Sequence, residues 1–316
     1  MRIGLVYLHY TSWPKFEWVH AALVRMGHSI WRIQEIEELA EADKSCDLIL
    51  FEHREPGPGR KQIVKLSNHH RALWVQWWFD LFIEQGHQDL IPLYGDLARA
   101  MDYVLVKERS SLPKYRELGI NAFWSDQGCP GTLRYEAPID LPAFDVCLFG
   151  SRNPQYVDRI SDVRALLAAG FSVLWAGDGT DYVLGAENRS WCPPDALPSL
   201  LSQAAVCLCT DLRHDIDGYW SDRLWLAAEC GSAIVRRESP GLPKLPIFTY
   251  RDSAGLVTTV RDLLQRKELR QVSGKACREA ALFNTYEHMI SRWFHAIGFS
   301  QPCLQTTGRC LSEVSG

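Results

Sequence analysis

Asp217-Gly-Tyr-Trp-Ser-Asp-Arg-Leu-Trp-Leu-Ala-Ala-Glu-Cys-Gly231 decides how the chain is read. Asp215 to Ser221 is a polar loop, Leu224 to Glu229 an apolar helix, and Gly231 its stop; Ala233-Ile-Val235 then reads as a buried strand. A loop that feeds a helix start brings unpaired backbone N–H groups and the positive end of the helix dipole to one place. Arg223, in the first turn, adds a fixed cation whose planar fork fits phosphate oxygens. Loop, helix start and arginine together describe a clamp for a diphosphate. The plainer alternative is an amphipathic helix whose Arg223 pairs with a surface acid.

Working outward, the same strand-then-turn logic recurs upstream. Phe144-Asp-Val-Cys-Leu-Phe-Gly-Ser151 is a strand that ends in the small-residue turn Gly150-Ser151-Arg152, ahead of a helix near 156–169. The strand 172–175 ends in Ala176-Gly-Asp-Gly179. A helix at 197–203 and a strand at 206–209 lead into the clamp, and helices at 256–264, 269–283 and 286–297 close the chain. Residues after Phe299 are polar and without a period, which predicts a loose tail over 300–316.

The first half alternates in the same way. Strands are expected at 3–8, 29–33, 47–51, 72–79, 103–106 and 120–124, with helices at 16–26, 35–42, 62–66 and 112–118 between them. Gly128-Cys-Pro-Gly131 and Ala137-Pro-Ile-Asp-Leu-Pro142 read as a linker. The expected architecture is α/β: two Rossmann-like, doubly wound parallel-sheet domains, 1–139 and 140–299, facing a cleft, with the last helix able to pack back on the first domain. Ligands of such sheets bind beyond the carboxyl ends of the strands. In the first domain those ends carry His9, Glu52, His53 and Asp80.

Composition narrows the function classes. The 316 residues exceed what one core usually serves. A formal net charge of −4 gives no global attraction to nucleic acid or anionic membrane. No run of 18 apolar residues occurs, so neither a signal peptide nor a membrane span is expected, and the cytoplasm is the expected compartment. Ten cysteines are scattered without a Cys-x-x-Cys, which favours buried reduced thiols over disulfides or zinc. Twelve tryptophans are many, and flat rings in loops often line a ligand cleft.

This order of signals resembles the GT-B glycosyltransferases, closest to the family grouped with the spore-maturation enzymes, whose C-terminal half follows the family-1/family-4-like pattern. The resemblance rests on Phe144–Ser151 with its Gly-Ser turn, Val173-Leu-Trp-Ala-Gly-Asp-Gly179, Asp217–Gly231, and Asn284-Thr-Tyr-Glu-His288 through Arg292. It covers residues 144–297 well and the first half only by topology and Asp80. Where the family usually carries a ribose-binding Glu three residues after the arginine, this chain has Leu226, so either Asp222 or Glu229 takes that role or the donor is held differently. The resemblance implies transfer of a sugar from a nucleoside-diphosphate sugar, most readily a UDP-sugar, to a hydroxyl. No other cofactor is implied.

Breaking the sugar–phosphate bond leaves a diphosphate whose growing charge needs preorganised donors. Gly150, Ser151 and Arg152, Gly177 and Asp178, Tyr219, Ser221 and Arg223 are the expected donor-side residues. They can act without a metal, and metal-independent transfer is the expectation. Trp191, in Ser190-Trp-Cys-Pro-Pro194, lies where this fold seats the nucleobase. Asp80 is the expected general base, since a carboxylate at a strand end in a partly apolar cleft can have its pKa raised.

The acceptor is left open between a glycan or small molecule, stacking on Trp74, Trp77 and Trp78, and a hydroxymethylated DNA base. The second reading comes from Arg54, Arg60, Lys61, Lys65 and Arg71, opposed only by Glu55. A solvated helix face is the bland explanation of that strip. A non-catalytic nucleotide-sugar binder or an epimerase of the same fold would share these features. The oligomeric state is likewise open.

Overall fold

The structure, a computed structural model, describes residues 1–7, 14–52, 58–67, 70–78, 81–83, 90–133, 142–152, 156–179, 183–190 and 192–299. Within them lie two all-parallel sheets of six strands each. The first is built from β1 (Arg2–Val6), β2 (Ser29–Ile33), β3 (Leu48–Glu52), β4 (Leu73–Trp77), β5 (Tyr103–Val106) and β6 (Ala122–Trp124), in the order β2-β1-β3-β4-β5-β6. The second contains β7 (Phe144–Phe149), β8 (Val173–Ala176), β9 (Glu187–Arg189), β10 (Ala204–Cys209), β11 (Ile234–Arg237) and β12 (Phe248–Tyr250), in the order β12-β11-β10-β7-β8-β9. The order in which strands are added reverses in the second sheet between β7 and β10, and in the first between β1 and β3. Those are the switch points where a crevice opens.

Parallel sheets need both faces covered, and the period-2 alternation of side chains supplies two apolar faces per sheet. In the first sheet, Ile3, Leu5, Leu48, Leu50, Val75 and Trp77 point to α1 (Pro14–Arg25) and α11 (Tyr286–Ala296). Val6, Ile49, Phe51, Trp74 and Trp78 point the other way, to α2 (Leu39–Ser45), α3 (Pro58–Leu66), α4 (Ile91–Arg99) and α5 (Leu112–Glu117). In the second sheet, Cys147, Leu174, Cys207 and Ile234 face α7 (Leu197–Ser202), α8 (Arg223–Glu229) and α10 (Lys267–Leu282). Val146, Trp175, Leu208 and Val235 face α6 (Val157–Ala168) and α9 (Ser253–Gln265).

The last helix crosses back. Met289, Ile290, Trp293 and Phe294 of α11 are buried against the first sheet and α1. Buried Met, Ile and Phe side chains contribute about 1.5–3 kcal/mol each, enough to fasten a helix of this length.

Three sequence expectations change here. Trp74, Trp77 and Trp78 are fully buried, so none of them offers a ring to an acceptor. Trp77 packs 5.0 Å from Trp293, and Trp78 stacks on Phe82 at 4.1 Å. An apolar strand with helices on both faces leaves its rings no route to the cleft. The pattern also gave no sign of α4, β9 or β12, and it started α3 and α8 late. The eight described cysteines are unbridged and all but Cys192 are buried. No helix of the described residues is long and apolar enough to cross a membrane.

Candidate donor site at the second sheet's switch point

β7 ends in Gly150-Ser151-Arg152 and β10 in Thr210-Asp211, side by side at the switch point. Gly150 has φ +125°, which only glycine adopts readily. Its backbone also passes close to Gly177, where an added Cβ would lie 2.0 Å from the Gly150 carbonyl oxygen. The two glycine turns therefore pack backbone to backbone. The Arg152 N–H donates to the Asp178 carbonyl at 2.7 Å, and Arg152 Nη1 to the Arg189 carbonyl at 2.8 Å. Gly150, Ser151, Arg152, Gly177 and Asp178 thus lie together, with buried Arg152 as their tie.

Arg223 opens α8, half-buried, with Nε and Nη2 donating to the Thr210 carbonyl at 3.3 and 3.1 Å. Its Nη1 lies against Gly150, 3.0 Å from where a Cβ would be. The arginine and the Gly-Ser turn, 73 residues apart by number, meet here.

A second arginine was missed. Arg159, 1% exposed on the first turn of α6, donates Nε to Thr210 Oγ1 at 2.7 Å, Nη2 to the Thr210 carbonyl at 3.3 Å and Nη1 to the Ser151 carbonyl at 2.5 Å. Burial, then the neighbouring Arg223 charge, pushes its guanidinium down to about 9. A cation in the first turn of a helix opposes the helix dipole, and that mismatch was the available signal. Asp211 is fully paired: Oδ2 accepts from Arg236 Nη2 at 2.6 Å and Oδ1 from the Ser221 N–H at 3.0 Å. Burial raises its pKa, but Arg236, His214 and Arg223 outweigh that and hold it below the usual carboxylate range. Among the described residues neither Arg159 nor Arg223 forms an ion pair.

Other expected residues are placed differently. Ser221 is buried and its backbone N–H is taken by Asp211, so that N–H is not free for a phosphate. Tyr219 is buried beside Ile216 against Leu81 of the first domain. Asp222 is buried and pairs with Lys15 of α1 at 3.2 Å. Glu229 is 0% exposed at the far end of α8, where its Oε1 accepts the Leu133 N–H at 2.7 Å. That geometry fastens the interdomain connection and gives Glu229 no reach to a ribose. Burial raises its pKa. Glu52 ends β3 with its backbone beside Trp77. His9, His53, Asp80 and Trp191, with Arg54 and Glu55, lie outside the described residues.

The loop that enters α8 also contains an Asp-x-Asp spacing, Asp215-Ile216-Asp217, so the expectation of metal-independent transfer gains no support from the sequence. Asp215 is engaged by Arg213 at 2.5 Å, and Asp217 lies 4.0 Å from Arg109. Among the described residues no three His, Cys, Asp or Glu side chains gather in a metal-holding group. Of the basic strip, Lys61, Lys65 and Arg71 are exposed, while Arg60 turns to Asp96 of α4 at 3.5 Å.

Residues 139–295 match the family described as glycosyl transferase-like. No curated protein sequence matches this one closely enough to count as a relative. Solved structures share the fold at low identity. Anabaena Alr3699/HepE in complex with UDP and glucose is 11% identical, with a TM-score of 0.68 over 94% of this chain and 100% of that one. The DNA modifying enzyme beta-glucosyltransferase, studied with and without uridine diphosphoglucose, is 12% identical, with a TM-score of 0.67 over 94% and 100%. An alpha-glucosyltransferase in complex with UDP and a 13-mer DNA is 10% identical, with a TM-score of 0.69 over 94% and 100%. The second domain, with its sheet and its site, thus matches the glycosyl transferase-like family, and the chain as a whole has the two-sheet fold of these solved glucosyltransferase structures.

Proposed function

We propose that the protein transfers a sugar from a nucleoside-diphosphate sugar, a UDP-sugar by preference, to a hydroxyl group. The observation that carries this reading is the pair of guanidinium groups, Arg159 and Arg223, converging on the Gly150 turn with no ion-pair partner among the described residues. Asp222 and Asp211 lie near enough to favour the charged form of Arg223, but neither pairs with it directly, and two neighbouring guanidiniums at a glycine turn are the donor set that a diphosphate takes. In the transfer, the acceptor oxygen bonds the anomeric carbon and the bond from that carbon to the diphosphate breaks. The electron pair leaves on the nucleoside diphosphate, where Arg223 meets it. The acceptor's proton goes to a base, for which Asp80 is proposed. UDP accompanies several of the structures that share this fold, and Mn2+ accompanies it in one of T4 phage BGT, so the transfer assay is run with EDTA and with Mn2+.

A DNA acceptor is the favoured second step of this reading. Lys61, Lys65 and Arg71 remain exposed, whereas the tryptophans that would have stacked on a glycan are in the core. Thermal unfolding tests the donor assignment. A nucleoside diphosphate at 100 times its dissociation constant should add about 2.7 kcal/mol of stability, and free sugar none. No shift with uridine, guanosine, thymidine or cytidine diphosphate removes the donor site. Donor hydrolysis without acceptor separates a transferase from a binding protein, and interconversion of sugar nucleotides marks an epimerase.

A further inference from the structure

The loop that delivers Arg223 is held from the opposite domain. The Asp217 carbonyl accepts the Arg109 N–H at 3.0 Å, and the Gly218 carbonyl accepts Trp124 Nε1 at 3.0 Å. Gly218 has φ +76°, and an added Cβ would lie 2.7 Å from Trp124 Nε1, so the loop fits this surface only with glycine there. At the centre stands Asp126, just after β6. Its Oδ1 accepts the indole N–H of Trp220 at 2.8 Å and that of Trp225 at 3.3 Å. Those tryptophans flank Arg223, three residues before it and two after. The other oxygen of Asp126 faces Asn284 Nδ2 at 3.4 Å and Arg292 at 3.9 Å, and its carbonyl accepts from Lys107 Nζ at 2.7 Å.

We propose that Asp126 is a positioning residue for donor binding: its carboxylate clamps the chain on both sides of Arg223 and thereby sets where that guanidinium meets the diphosphate. The proposal rests on the donor reading above. One carboxylate oxygen receiving two indole N–H groups from a loop and from the helix it enters fixes their relative orientation, which a single bond would not. Because Asp126 belongs to the acceptor-side sheet, the donor clamp takes its final shape only when the two domains are docked.

The test is a double-mutant cycle on the full-length protein, with UDP as the probe by calorimetry and UDP-glucose hydrolysis for KM and kcat. Wild type comes first: if it binds no UDP, the donor reading and this proposal fall together. If it binds, Asp126→Asn and Trp220→Phe should each weaken UDP binding and raise the donor KM, by about ten- to a hundredfold for a bond to a charged acceptor, with kcat changed less. Because both variants act on the same bond, which Asp126→Asn weakens by removing the acceptor's charge and Trp220→Phe abolishes, the double variant should lose little more than the worse single one. A merely structural residue would lower the melting temperature and leave the KM of the folded protein unchanged. Unchanged UDP affinity in folded single variants, or additive losses in the double, overturns the proposal while leaving the donor reading standing. Should Asp126→Asn not fold, Trp220→Phe and Trp225→Phe, which keep the ring and lose only the N–H, read the same bonds.

Discussion

Arg223 and Arg159 share the Thr210 carbonyl but have different work. Arg223 presents Nη1 at the Gly150 turn, whereas all three donating nitrogens of Arg159 are committed to Ser151 and Thr210. Replacing Arg223 by Ala should therefore leave a folded protein and lower turnover by about 10²–10³, the usual loss for one preorganised donor to a developing oxyanion. A variant with near-normal turnover would make Arg223 an ordinary surface cation. Lys107 invites a different measurement. Burial, with the charges of Lys15 and Arg292, lowers its pKa from 10.5 to about 7 against the opposing pull of Asp126 and Asp222. A lysine depressed in the folded state binds fewer protons there than in the unfolded chain between pH 7 and 10. Stability contributed at this position should thus rise as pH rises through that window. Denaturant unfolding at pH 6, 7.5 and 9 should show wild type gaining on Lys107→Met with pH, and parallel profiles would refute the assignment.

At the scale of elements, what could be read from sequence was what local chemistry dictates. β7 with its Gly-Ser turn and β8 with its glycine corner follow from continuous apolar runs ending in small residues. The placing of Arg223 beside Gly150 followed from the order of those signals. Short edge strands gave nothing: β9 is Glu-Asn-Arg, polar throughout, and lies at the margin of its sheet. α4 was hidden by Pro92 and Gly95, which read as breakers although the proline sits in the first turn, where it costs no helix bond. Glu229 was misread for a different reason. Its distance in sequence from Arg223 fits a ribose ligand, but α8 is buried on nearly every side and its last residue faces the linker instead. Only tertiary packing decides which way such a residue points. Asp126 gave no signal at all, because its importance lies in partners that come from three separate parts of the chain.

At the scale of the whole molecule, the carboxyl end of the first sheet meets the loop that leaves β10, through Arg109, Trp124 and Asp126, so the two domains share one seam there. In the first domain, Lys61 and Lys65 are exposed on α3, the helix that follows β3. The net charge of −4 means that this local patch, not the protein's overall field, would have to attract a polyanion. Salt dependence isolates that patch. If the patch lies on phosphates, replacing Lys61 and Lys65 with Ala should weaken binding to hydroxymethylated DNA and flatten the log–log salt slope by about one unit per lost contact. The reaction must also reach an atom inside the stack, so single-stranded or easily flipped bases should bind better than intact duplex. A glycan or small molecule produces neither effect, since no row of phosphates releases counterions when it binds. One titration of binding against salt, with wild type and the double variant, therefore separates the two acceptors. Equal slopes, or no binding to hydroxymethylated DNA at low salt, would remove the nucleic acid and leave the uncharged acceptor.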